Sequence, residues 1–115
     1  MQKESKCWGT NYVFIDNAVC RLCRIEVDPG GYCSEHHHEY MNNLFVVEHG
    51  QLEIEQWQNK EMIDVTVLDK LDMLICPPNQ VHKFRALSHV VAYELYWPNL
   101  INGFDIIRRV LGGKN

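Results

Sequence analysis

The 115 residues allow one domain with a modest core and no second lobe, so a single domain over residues 1–115 is expected. With 46% hydrophobic and 23% charged residues the composition is globular, and a net charge of −4 with scattered basic residues argues against nucleic acid as the main partner. The opening Met1-Gln2-Lys3-Glu4-Ser5-Lys6 lacks the apolar core of a signal peptide and no apolar run reaches transmembrane length, so a cytoplasmic protein without a membrane partner is expected.

Taken in chain order, nearly every segment alternates apolar and polar residues and is closed by turn residues, as short antiparallel strands are. Tyr12–Asp16 is a strand ended by Asp16-Asn17. Val19–Val27 puts Val19, Cys23, Ile25 and Val27 on one face and Arg24 and Glu26 on the other, stopping at Asp28-Pro29-Gly30-Gly31. Tyr32–His38 follows, then a connector, then Asn43–His49 ended by Gly50. Gln51–Trp57 alternates Leu52 and Ile54 with Glu53 and Glu55, and a turn through Asn59-Lys60 leads to Met62–Leu68. Met73–Cys76, Val81–Ala86 and Val90–Trp97 complete the strands. Only Phe104–Leu111, with Ile106, Ile107, Val110 and Leu111 at helical spacing, predicts a short C-terminal helix. So many short strands in so short a chain predict an all-β sandwich or barrel.

Leu44-Phe45-Val46-Val47 is apolar on both faces, so its outer face needs a cover. Trp8, Trp57 and Trp97 are too many large rings for one narrow interior. A homodimer is expected on these grounds; the alternative cover is the chain's own ends.

Two segments carry the chemistry. The first is Ser34-Glu35-His36-His37-His38; on a strand His36 and His38 share a face and His37 points away. The second is Pro77-Pro78-Asn79-Gln80-Val81-His82, a turn that delivers a third imidazole. A histidine run alone is as well explained by an exposed polar stretch, but two strand-face histidines met by a third from a distant strand form a ligand set for a transition metal. The five cysteines, Cys7, Cys20, Cys23, Cys33 and Cys76, are odd in number and expected to be reduced. Cys20-Arg21-Leu22-Cys23 has the spacing of a redox or zinc motif, but residues three apart on one strand face opposite sides, which favours a structural role. Cys33 and Cys76 are expected as small buried hydrophobes near the histidine segments.

The spacing Gly30, His36, His38, Asn43, Gly50 resembles the first motif of the cupin superfamily, and Leu71-Asp72, Pro77-Pro78-Asn79 and His82 resemble the second. The resemblance implies a single cupin jelly roll (double-stranded β-helix), with His36, His38, Asn43 and His82 around one divalent transition metal. Asn43 stands where that motif usually has glutamate, and Leu71 and Asn79 stand where it has glycines. Lys6-Cys7-Trp8-Gly9, Ser34–His38 running into Asn43–Val47, Glu94, and Asp105-Ile106-Ile107-Arg108 resemble the cupin domain of type II mannose-6-phosphate isomerases, which is also the C-terminal domain of mannose-1-phosphate guanylyltransferase/mannose-6-phosphate isomerases. The Tyr-Gly-Arg that follows in that family has no counterpart after Arg108, and with no separate nucleotide-binding domain or Gly-rich phosphate loop guanylyl transfer is not expected.

What this second resemblance implies is aldose–ketose isomerisation of a sugar phosphate, with the metal polarising the carbonyl, Glu94 as the base and Arg108 holding the phosphate. Alternation leaves Glu94 open. Val90, Ala92, Glu94 and Tyr96 share one face, and either that face or the one with Val91, Tyr93, Leu95 and Trp97 is inward. Arg108 is equally well a solvated cation on the C-terminal helix. Lys83 and Arg85 alternate away from His82 and should point outward. Three imidazoles suit zinc, nickel, cobalt, manganese or iron, and two other function classes stay open: a three-histidine Fe(II) cupin dioxygenase and a non-catalytic metal-dependent sugar-binding cupin.

Overall fold

The computed structural model describes residues 1–98, and within them the chain forms nine strands and no helix. They are β1 (Gln2–Lys6), β2 (Gly9–Asp16), β3 (Arg21–Val27), β4 (Met41–His49), β5 (Leu52–Gln58), β6 (Glu61–Leu68), β7 (Met73–Cys76), β8 (Val81–Ala86) and β9 (Val90–Pro98). The predicted helix over 104–111, and Arg108 with it, lie outside the described residues. A six-stranded sheet in the order β1-β2-β3-β9-β4-β7 faces a three-stranded sheet in the order β6-β5-β8, and all paired strands are antiparallel. This is the expected all-β jelly roll.

Period-two burial marks which side of each strand is interior. On β3, Cys23, Ile25 and Val27 are buried and their neighbours are half-exposed; β4, β5 and β8 alternate the same way through Phe45 and Val47, Leu52 and Ile54, Phe84 and Ala86. With Val90 and Ala92 of β9 and Leu68 of β6 these side chains fill the space between the sheets. Burying a Leu, Ile or Phe contributes roughly 1.5–3 kcal/mol, and this apolar plug is the main source of stability. At Gly50, between β4 and β5, φ is +84° and a Cβ would sit 2.0 Å from the His89 carbonyl oxygen, so only glycine closes that turn.

Three expectations need correction. The β2–β3 turn takes Asn17 to Cys20, with Asn17 Oδ1 accepting from the amides of Val19 and Cys20, so Val19 is exposed and the strand begins at Arg21. Strand β1, with its polar sequence, carries no period-two apolar signal; it is set by its register on β2 from Gln2↔Val13 to Lys6↔Gly9. The segment Tyr32–His38 is not a regular strand: only the bridges Tyr32↔Arg85 and His36↔His82 tie it to β8.

The outer face of the six-stranded sheet carries a ladder of apolar residues. Ile15, Leu22, Leu95, Leu44 and Ile75 lie directly opposite one another across five strands, and Val46 sits between Tyr93 and Met73. Ile15, Met73 and Ile75 are exposed, and Leu44 and Val46 are half-buried. No helix among the described residues is long and apolar enough to cross a membrane.

Candidate metal centre

On several strands the inward positions change from apolar to polar at the same end. On β4 Val47 and Phe45 give way to Asn43; on β8 Ala86 and Phe84 give way to His82; on β9 Val90 and Ala92 give way to Glu94 and Tyr96; on β3 Ile25 and Cys23 give way to Arg21. The register aligns them: Arg21, Tyr96, Asn43 and Cys76 form one cross-strand row, and Cys23, Glu94 and Phe45 form the next. The apolar plug closes one end of the jelly roll; at the other, Arg21, Glu94 and Tyr96 line a cavity of about 650 Å³, and Asn43 and His82 are buried at that end.

His36 reaches this cavity through a bulge. Cys33 N–H donates to the Phe84 carbonyl at 3.2 Å, whereas His36 and His82 exchange both backbone hydrogen bonds, at 3.1 and 2.9 Å. The 32–36 segment thus carries one residue more than the stretch of β8 it faces, and the Phe84 N–H is met by the Cys33 thiol (3.2 Å) instead of a carbonyl. Strict alternation would send Cys33 and His36 to opposite faces; the extra residue lets both point inward. His38 follows on the same side while His37 is exposed, as the alternation predicts.

His36, His38 and His82 each present a ring nitrogen, all three within 4.8 Å of one another. Two rings have their tautomer set from behind: His36 Nδ1 lies 2.9 Å from the Ser34 carbonyl and His82 Nδ1 3.1 Å from the Gln80 carbonyl. With the proton on Nδ1, each Nε2 presents a lone pair to the centre. Burial, followed by the nearby His36, pushes His82 down to about 4, and burial also lowers His38, so both rings are neutral at physiological pH.

Asn43 completes the set. Fully buried, it places Oδ1 3.2 Å from His82 Nε2, while its amide N–H₂ faces the Glu94 carboxyl. With His82 in its Nδ1–H form, two acceptors face each other, an arrangement that a cation between them satisfies. His38 Nε2 is buried with no hydrogen-bond partner among the described residues, which costs about 1–3 kcal/mol unless a ligand fills the gap. The donor set therefore fits a divalent transition metal, and neutral nitrogen donors with one amide oxygen suit borderline ions.

Glu94, left open by alternation, is interior and 6% exposed. It takes a hydrogen bond from the Tyr96 hydroxyl. Burial raises its pKa above the usual carboxylate range, and the donors Tyr96 and Asn43 act against that rise. Lys83 and Arg85 point outward and flank the exposed Tyr32 ring, at 4.7 and 5.1 Å from its centroid. Cys33 and Cys76 are buried thiols raised by burial to about 11 and about 12, inert as nucleophiles; Cys20 and Cys23 are both free thiols, Cys20 half-buried ahead of β3 and Cys23 buried on it. Trp8, edge-on to Phe84 at 5.2 Å, and Arg21 also line the cavity. Arg21 was legible in the sequence by its parity with Cys23, Ile25 and Val27.

Solved structures share this architecture. KdgF from Halomonas sp. superposes with a TM-score of 0.71 at 17% identity, covering 90% of this chain and 94% of that one. An RmlC-like cupin from Shewanella frigidimarina gives 0.73 at 17% identity, covering 88% and 86%. A protein with a double-stranded β-helix domain from Klebsiella pneumoniae gives 0.70 at 21% identity, covering 83% and 76%. No curated protein sequence matches the chain. Residues 23–97 match the family described as Cupin domain, a span that holds every histidine of the cluster, and the chain is a member of that family.

Proposed function

We propose that this cupin is a metal-dependent enzyme for a small phosphorylated sugar, catalysing aldose–ketose isomerisation. The observation that carries this reading is a buried carboxyl, Glu94, on the wall of the same cavity as His36 and His38 of the three-histidine cluster. A divalent ion on His36, His38 and His82, with Asn43 beside them, would supply Lewis-acid polarisation of a carbonyl. The carbon-to-carbon proton transfer falls to Glu94, which takes the proton from the hydroxyl-bearing carbon next to the carbonyl and returns it to the former carbonyl carbon, while the hydroxyl proton passes from the one oxygen to the other. Tyr96 and Asn43 both donate to Glu94, holding it in one orientation and favouring its carboxylate form against the cost of burial. Trp8 and Phe84 give the cavity an apolar wall.

The test is interconversion of mannose 6-phosphate and fructose 6-phosphate in D₂O by protein loaded separately with zinc, cobalt or manganese. Turnover with deuterium incorporation is expected, and Glu94→Gln should lose roughly 100-fold or more while keeping its metal. One observation favours a second reading. The histidine cluster contains no carboxylate, and this neutral three-imidazole set suits an Fe(II) oxygenase. Oxygen consumption by the iron-loaded protein without isomerisation would select that reading, and neither activity would leave a sugar-binding cupin.

A further inference from the structure

The cavity has a second pole, opposite in chemistry to the imidazoles. Arg21, on the inner face of β3, lines it together with Lys6 at the end of β1. Arg21 has five N–H donors but no strong acceptor: its contacts are Cys23 Sγ at 3.4 Å, Glu4 Oε1 at 3.5 Å and Asp16 Oδ2 at 3.8 Å. Charge-assisted hydrogen bonds to oxygen normally close to about 2.7–2.9 Å, so both carboxylate contacts are slack, and a thiol sulfur is only a weak acceptor. Lys6 is no better served, with the same Glu4 oxygen at 3.9 Å as its ion-pair contact. That oxygen is already held by the Asn11 amide at 3.0 Å, so one carboxylate oxygen is shared by an amide and two cations. Asp16, the other acidic partner, is 58% exposed and screened by water.

The charges of the other pole point the same way. Three imidazoles and one amide oxygen, with no carboxylate among them, leave the charge of a divalent ion uncompensated. We propose that Arg21, with Lys6 beside it, is the anion-holding pole of the cavity. Its ligand is then a small molecule with a phosphate or carboxylate at one end and a metal-seeking oxygen at the other. This rests on the metal reading above for the far pole. It assigns the anion to Arg21, at the mouth of the jelly roll, and needs no contribution from Arg108.

Calorimetric titration of the zinc-loaded protein with inorganic phosphate, mannose 6-phosphate and mannose tests this. Phosphate should bind, and mannose 6-phosphate should bind more tightly than mannose. Arg21→Gln should weaken both phosphorylated ligands by tenfold or more, with zinc stoichiometry and melting temperature kept, and Arg21→Lys should recover part of the loss. Asp16→Asn removes a competing carboxylate and should tighten phosphate binding, an opposite sign that a folding defect does not mimic. The proposal is overturned if wild-type protein binds no phosphate, if folded Arg21→Gln binds it as wild type does, or if Asp16→Asn leaves binding unchanged. Phosphate binding without isomerase turnover keeps this pole and removes the isomerisation reading. Turnover with phosphate affinity unaltered in Arg21→Gln does the reverse.

Discussion

Acid should destabilise the metal-free protein through His82. The ring is 1% exposed, and burial beside His36 lowers its pKa from 6.5 to about 4. The unfolded chain therefore takes the proton first. The stabilising contribution is fully present above about pH 6.5, falls as the unfolded-state imidazole titrates, and is gone below about pH 4. Over the whole interval it amounts to about 3 kcal/mol, and about 2 kcal/mol is lost between pH 7.5 and pH 5.0. Glu94 acts with the opposite sign, since its folded-state pKa is raised and acid favours its folded form; His38 acts in the same direction as His82. Comparison with His82→Gln isolates the one residue, because Glu94 and His38 are common to both proteins. Urea unfolding followed by tryptophan fluorescence in the presence of a chelator, at pH 7.5 and 5.0, gives the double difference. The wild type should lose about 2 kcal/mol more than the variant. Equal losses would show that His82 is not held neutral by burial and would remove the electrostatic argument for the centre.

Single alanine variants at His36, His38 and His82 should each abolish stoichiometric zinc binding, whereas His37→Ala should retain it, because His37 is exposed and outside the cluster. Asn43→Glu adds an anion to the shell and should tighten zinc binding about tenfold or more in competition with a chelator; unchanged affinity would show that residue 43 does not ligate. Leu71, at φ 69° and 73% exposed, holds a left-handed position where a side chain costs about 1–2 kcal/mol. Leu71→Gly should raise stability by about 0.5–1 kcal/mol in urea, after the entropy cost of glycine, and a fall would mean that the leucine side chain packs. The apolar ladder on the outer sheet face is expected to join two copies of the chain, with a dimer mass in light scattering at micromolar concentration and a monomer for Ile75→Lys; a monomeric wild type would refute it.

What the sequence disclosed and what it withheld have physical reasons. Strands with a buried and an exposed face announced themselves through alternation, as β3, β5 and β8 did. The ligand set was legible because spacing survives divergence of residue type: Leu71 and Asn79, at φ 69° and 65°, occupy the left-handed turn positions where the cupin motif has glycines. Strand β1 was missed because an edge strand of polar residues has no apolar phase to detect. The assignment of Tyr32–His38 as a regular strand erred because a bulge is a change of phase that composition does not record. It brought His36 to the expected side, but by shifting register after the buried Cys33.

Glu94 shows where alternation stops and pairing takes over. Both faces of β9 are largely apolar, since one meets the core and the other belongs to the outer ladder, so parity alone was indifferent between them. Cross-strand neighbours decide it. Glu94 lies between Cys23 of β3 and Phe45 of β4, both buried, and cannot face outward without carrying them along. A carboxyl fixed inside in this way costs stability, and its cost is offset only by donors arriving from Tyr96 and from Asn43 on the neighbouring strand. The same register that sets Asn43 against Tyr96 also sets it within reach of His82 from the opposite sheet. Asn43 therefore links the buried acid to the imidazole cluster through one side chain.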